Sequence, residues 1–200
     1  MPDERNPAAE RTALKEWAVL CDAMARGELV AMVRKGGIRE QRAGFSVRHD
    51  RFLLYPTFFH EKAAEMAPRL VSTLEASHAR RPPEGTVRLE LVAEVAAVWA
   101  VTELERLRAI EGEHGLAWGA VESRFHYKGR PGVQVVAARV RRLASPTDVP
   151  ETRRYQGCVS WVALDHAVDV AHATPVMADE EFGRRLTRLR DALGEPTREP

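Results

Sequence analysis

The chain has 200 residues, 44% hydrophobic and 30% charged, with a formal net charge of +1. It can therefore bury a real core, but it is not a polycation, and a nucleic-acid or anion partner would have to be held by local clusters of charge. No apolar run approaches the about 18 residues needed to span a bilayer, and Cys21 and Cys158 form no CxxC pair; with no secretory h-region, the expectation is a reducing cytoplasm and free thiols.

Residues 1–7 and 195–200 are rich in Pro, Glu and Arg and are expected to fray, leaving 8–194 as a single α+β domain. Leu14, Trp17, Ala18, Cys21 and Met24 recur at helical spacing, which predicts a helix over 8–26 with Gly27 as its stop. Glu28–Val33 is short, apolar and strand-like, and Gly36-Gly37 breaks it. Gly44–Val47 and Phe52–Tyr55 are candidate strands, the second ended by Pro56. Together Arg34–Glu61 reads as a basic β-hairpin on the rim of a cleft. Thr57 is a candidate N-cap for a helix running from Phe59 to about Ala79, kinked or restarted at Pro68. Arg81-Pro82-Pro83-Glu84-Gly85 is a turn and a candidate subdomain boundary near 80–86.

Val87–Val101 begins in strict alternation and predicts a strand with a bend. Thr102 with Glu105 reads as a capping box opening a helix over 103–110. Leu116–Phe125 is helical in pattern, Gly129–Gly132 a turn and Val133–Leu143 a strand. A loop follows at Pro146–Pro150, then a short strand at Val159–Leu164 and an amphipathic helix at Ala178–Leu193. Helices and strands mix without a βαβ rhythm. That favours α+β, with a mostly antiparallel sheet or a small partly closed barrel flanked by helices.

The near-neutral total hides two basic segments and one acidic one. Residues 34–51 carry +4 and 123–147 carry +6, whereas 84–113 carry −4. Phe45, Phe52, Tyr55, Phe58 and Phe59 lie in or beside the first basic segment, and Phe125 and Tyr127 lie in the second. Arginine meets phosphate and rings stack on bases, so this is the composition of an RNA or DNA surface. The candidate anion-binding residues are Arg34, Lys35, Gly36, Gly37, Arg39, Arg48, Tyr55, Arg124, Lys128, Arg139 and Arg141. The competing explanation is a strand whose rings face the core and whose arginines face water.

Three constellations could carry chemistry. Gly36-Gly37, flanked by Lys35 and Arg39, permits the close backbone approach of an anion-binding turn, or serves a tight hairpin alone. His60, with Glu40 or Glu61, could serve as a base or ligand in a hydrolase or nuclease; a divalent metal enters only under that alternative, and no cofactor motif is legible. Tyr155, Cys158, Ser160 and Trp161 are a candidate cleft wall. Cys158 could pair with His60, His126 or His166, although cysteine is more often a small buried apolar residue. A third alternative is a scaffold whose Arg-rich C-terminal helix docks a partner.

Taken in order, ALKEWAVLCDAM, LVAMVRKGGIRE, FLLYPTFFHE, VVAARVRRLASP and YQGCVSWVAL resemble the domain of unknown function 1802 family, over about residues 12–190. The family's third string ends closer to Tyr-Glu-His-Gln, where this chain reads Phe58-Phe59-His60-Glu61. The resemblance therefore carries His60 and not position 59. It implies motif boundaries and no mechanism.

Overall fold

Along residues 51–57 the side chains alternate between two buried surfaces. Phe52 and Leu54 join one apolar cluster, and Leu53 and Tyr55 join another. This period of two is what a strand buried on both faces requires. The computed structural model describes residues 8–35, 46–157 and 159–200. It is an α+β fold with a seven-stranded, mostly antiparallel open sheet.

The elements run β1 (Ala9–Trp17), α1 (Ala18–Ala25), β2 (Ala31–Arg34), β3 (Arg51–Thr57), α2 (Pro68–Val71), α3 (Leu74–Ala79), β4 (Thr86–Val101), α4 (Trp118–Phe125), β5 (Val133–Pro150), β6 (Trp161–Asp169), β7 (Thr174–Pro175) and α5 (Asp179–Leu193). Short 3-10 turns stand at Ala63–Glu65, Leu104–Ile110 and Tyr127–Gly129. The strand order is β2-β5-β4-β3-β1-β6, with β7 on β5. Only the β1–β3 ladder among these is parallel. The edges β2 and β6 do not pair, yet the sheet curls until Arg34, at the end of β2, donates to the Lys15 carbonyl of β1.

The larger cluster lies under α1, α4 and α5 and includes Leu14, Phe52, Trp99, Val121 and Leu189. The smaller one, on the other face, gathers Ala13, Leu89, Val92, Tyr155 and Leu164. Gly115 is fixed by packing: a Cβ there would stand 2.3 Å from Leu20 and 2.6 Å from Leu70. Strands from both sides of residues 80–86 enter the one sheet.

Several local expectations are corrected. The predicted helix over 8–26 begins as β1, because residues 9–17 are held between β3 and β6; the helical period survives only in α1. Arg34–Glu61 is not a hairpin, since β5 and β4 lie between β2 and β3. Of the candidate strand Gly44–Val47, Ser46 and Val47 have no strand structure, and the other two residues lie outside the described residues. Pro56 does not end β3. It pairs with Glu16 where β4 has ceased to pair, so its missing N–H is not needed there. Thr57 caps no helix; its Oγ1 accepts from the Phe59 N–H at 3.3 Å, and Pro68 starts a helix. The Thr102–Glu105 capping box does not form, as the turn begins after Glu103 with no side-chain cap. Pro146–Pro150 is the end of a long strand paired with Thr86–Leu89, not a loop. Residues 195–200 do not hang free: Arg198 bridges Val98, and the Thr197 N–H donates to its carbonyl at 2.7 Å. The apolar face of α5 is spent within the chain, through Phe182, Leu189 and Leu193.

Candidate functional site

The β3–β4 ladder covers only Arg51–Leu53 and Val92–Glu94. Beyond it the two strands part, and a cavity of about 730 Å³ opens in the split. Pro56–His60 lie on one side and Arg81–Arg88 on the other; Lys15–Trp17, Arg34, Lys35, Arg124, Tyr127, Glu151 and residues 156–160 complete much of the lining. Volume and shape suit a small organic ligand or a segment of one.

The floor is a buried charge cluster. The Glu16 carboxylate, 4% exposed, accepts from Arg34 at 3.1 Å, and Arg34 is only 13% exposed. Glu16 also accepts from the Trp17 N–H at 3.0 Å. Arg124 donates to the Val33 carbonyl at 2.9 Å and stacks 5.1 Å above the Trp17 ring. Burial pushes the Arg124 pKa down, and the like charge of Arg34 adds to this, while Glu16 opposes it. A guanidinium nevertheless stays protonated at neutral pH. Two guanidinia thus lie near the Glu16 carboxylate, and one of them, Arg34, pairs with it.

Around this floor the cations are tethered. Lys35 donates to the carbonyls of Phe125 at 3.1 Å, Arg130 and Gly132, gathering the turn after α4. Burial, then the charge of Arg130, lowers its pKa. Lys15 donates to the Gly157 carbonyl at 3.1 Å and lies 5.5 Å over the Tyr55 ring. Arg88 pairs with Asp148 at 2.8 Å. The rim is aromatic: Phe59 is 65% exposed and Tyr127 41%. Phe58 sits under Arg81 at 5.1 Å and edge-on to His78. His60, beside Phe59, has φ of 63°, a conformation uncommon for residues other than glycine, though Asn, Asp and His hold it more often than the rest.

The sequence matches the family described as Domain of unknown function (DUF1802) over residues 13–188. The chain belongs to this family. No curated protein matches it. Among solved structures it is similar to the crystal structure of ASCH from Zymomonas mobilis, at 13% identity and a TM-score of 0.46, covering 89% of this chain and 94% of that one. It is similar also to a serine-to-alanine mutant of that protein, at 13% identity and 0.44, covering 90% and 97%.

In this DUF1802 domain the cavity brings together Arg34, Lys35, His60, Arg124 and Ser160 of the residues singled out by sequence. The others are placed elsewhere. Glu61 turns away: its fully buried carboxylate accepts from the Val19 N–H at 3.0 Å and contacts His78 Nε2 at 2.7 Å. Tyr55 and Tyr155 are buried in the smaller core cluster, and the Tyr155 hydroxyl accepts from the Asp165 N–H at 2.6 Å. Trp161 packs edge-on to Phe52 and donates to the Ser46 carbonyl. Arg48 contacts Ser46 Oγ, and Lys128 lies over Tyr127. Arg139 pairs with Asp179, and Arg141 reaches the Ala173 carbonyl and Glu94. Gly36, Gly37, Arg39, Glu40 and Cys158 lie outside the described residues. Among the described residues no cluster of His, Cys, Asp and Glu is arranged to hold a metal, and no helix is long and apolar enough to cross a membrane.

Sequence reasoning missed Lys15, Glu16 and Trp17, because it placed them on a helix, and the wall formed by Arg81–Arg88 and Glu151, because it read Arg81–Gly85 as a turn, put Val87 and Arg88 on a strand and gave Glu151 no element. Glu16 had one legible signal: an acid in a largely apolar stretch, with no basic residue three or four places away to pair with it on a helix.

Proposed function

We propose that the cavity binds single-stranded nucleic acid, with rim rings stacking on bases and the arginine floor facing a phosphate. The observation that carries this is the gathering of Arg34, Lys35 and Arg124 in one cavity lining beside the exposed rings of Phe59 and Tyr127. Positive charge gathered in a cleft with low-dielectric walls focuses its field and favours an anionic ligand. Backbone phosphate supplies the anion, and a base supplies a face for Phe59 or Tyr127.

Fluorescence anisotropy with short labelled RNA and DNA single strands tests the reading. Binding should be retained at about 50 mM salt and fall steeply by about 200 mM. Phe59→Ala should weaken it roughly tenfold, as loss of one stacked base does, with no change in thermal unfolding. Absence of binding by the unmodified protein at about 50 mM salt overturns the proposal.

The positive φ of His60 at the cavity mouth favours a second reading, strand hydrolysis through this imidazole. Under it, His60→Ala abolishes cleavage of a single-stranded oligonucleotide in the presence of Mg²⁺ and changes stability by less than about 1 kcal/mol. Unchanged cleavage would exclude it.

A further inference from the structure

Four of the cavity's cations are already engaged: Arg34 by Glu16, Arg88 by Asp148, and Lys15 and Lys35 by backbone carbonyls. Two carboxylates in the same lining are not. Among the described residues, Glu84 and Glu151 make no ion pair. Glu84 is exposed, but Glu151 is half-buried. Its backbone N–H donates to the Gly85 carbonyl at 2.7 Å, which fixes the end of β5 against the turn before β4. Its carboxylate lies beside the buried Tyr55 hydroxyl, whose pKa is raised by burial first and then by this charge. A half-enclosed carboxylate in a cavity otherwise built for anions calls for a ligand with N–H donors as well as negative charge.

We propose that Glu151 selects guanine, its two carboxylate oxygens accepting the N1–H and N2–H of the base's Watson–Crick edge. The proposal rests on the single-strand reading above. Guanine alone among the four bases presents two adjacent donors on that edge. Cytosine and adenine each present an amino group beside a ring acceptor. Uracil presents one N–H between two carbonyl oxygens, which would face the carboxylate lone pairs unfavourably. A carboxylate is the complement of two parallel N–H groups, as its bidentate pairing with guanidinium shows. Base-edge contacts of this kind separate one base from another, whereas the arginine floor, touching phosphate, would hold any sequence.

Three labelled oligouridylates decide it, identical except for a central guanosine, inosine or uridine. Inosine keeps N1–H and lacks the N2 amino group. The full-length protein should bind the guanosine strand roughly tenfold more tightly than the uridine strand, with inosine between them. Glu151→Gln, which replaces one acceptor by a donor, should bind all three alike, at the level of the uridine strand. Because the guanosine–inosine comparison is made on the unmodified protein, it stands even if the variant fails to fold. Equal affinity for the three strands overturns guanine selection and leaves strand binding intact. A preference that survives Glu151→Gln assigns selection to another residue and overturns the role of Glu151. If none of the strands binds, the single-strand reading itself falls.

Discussion

Glu16→Gln should destabilise the protein and tighten nucleic-acid binding. The carboxylate is 4% exposed and sits 3.1 Å from Arg34, itself 13% exposed. Removing one partner of a buried ion pair costs about 3–5 kcal/mol, because the other charge stays buried and uncompensated. Glutamine keeps one carbonyl oxygen for the Trp17 N–H or for Arg34, so the lower end, about 3 kcal/mol, is expected. At about 2–4 °C per kcal/mol for a chain of this size, the melting temperature falls by about 6–12 °C. Binding moves the other way. A negative charge has been taken from the floor on which a phosphate would sit, and one charge a few ångströms away in a solvent-like dielectric is worth on the order of 1 kcal/mol, or about fivefold in affinity. Thermal unfolding and anisotropy on the same preparation, well below the lowered melting temperature, read the two effects. Unchanged or weakened binding by the folded variant would refute the reasoning, because the positive charge of the floor would then not face the anion.

Stability should also fall in mild acid through His114. This imidazole is buried, its Nδ1 accepts from the Leu116 N–H at 3.2 Å, and burial, then Arg69 and Arg124, lowers its pKa to about 4. The unfolded chain takes up the proton near the ordinary value of about 6.5, so stability is full above that and is lost as pH falls toward 4, by about 2 kcal/mol between pH 7 and 5; urea melts at both pH values should show this, and His114→Gln should flatten it. Arg185→Met should cost about 3 kcal/mol, since Arg185 pairs with buried Glu113 at 2.6 Å and donates to the Gly27 and Glu28 carbonyls, whereas Arg184→Ala, at an exposed pair, should change stability by less than about 0.5 kcal/mol; calorimetry on the two variants separates them. His60→Gly should raise stability by on the order of 1 kcal/mol by relieving the positive φ, measured by thermal unfolding; a lower melting temperature would mean that contacts of the imidazole outweigh the strain.

What was legible in the sequence follows which forces act locally. The alternation of Val87, Leu89 and Leu91 and the three-four spacing of Phe182, Leu186, Leu189 and Leu193 are set by each segment's own burial, and β4 and α5 appear where they were expected. Residues 9–17 were misread because a strand bordered on both sides buries residues without regard to alternation. Ala13 and Leu14 are both fully enclosed, and Glu16 and Trp17 are both buried, so the pattern imitates a helix. No local signal reports that β3 and β6 flank them. The outer face of α5 likewise read as solvent-facing arginine, yet Arg185 is buried because Glu113, far away in sequence, meets it.

The site was half legible for the same reason. Among the described residues the two basic segments meet through Arg34, Lys35 and Arg124, and they meet because β2 pairs with the start of β5, Arg34 opposite Gln134. Arg139 and Arg141, on the same basic strand as one another, pass out of reach along β5 and find Asp179 and Glu94 instead. Charge counted along the chain therefore overstates the binding surface and misplaces its centre. At the floor stands Glu16, a residue of the opposite sign, whose buried carboxylate holds Arg34 in place while the Val33 carbonyl and the Trp17 ring hold Arg124. The cavity itself depends on a strand pairing that stops early at Leu53, and on a proline three residues later that needs no hydrogen-bonding partner on that side. Closing that split by extending the β3–β4 ladder would remove the cavity while leaving every charge in place, which separates the contribution of shape from that of composition.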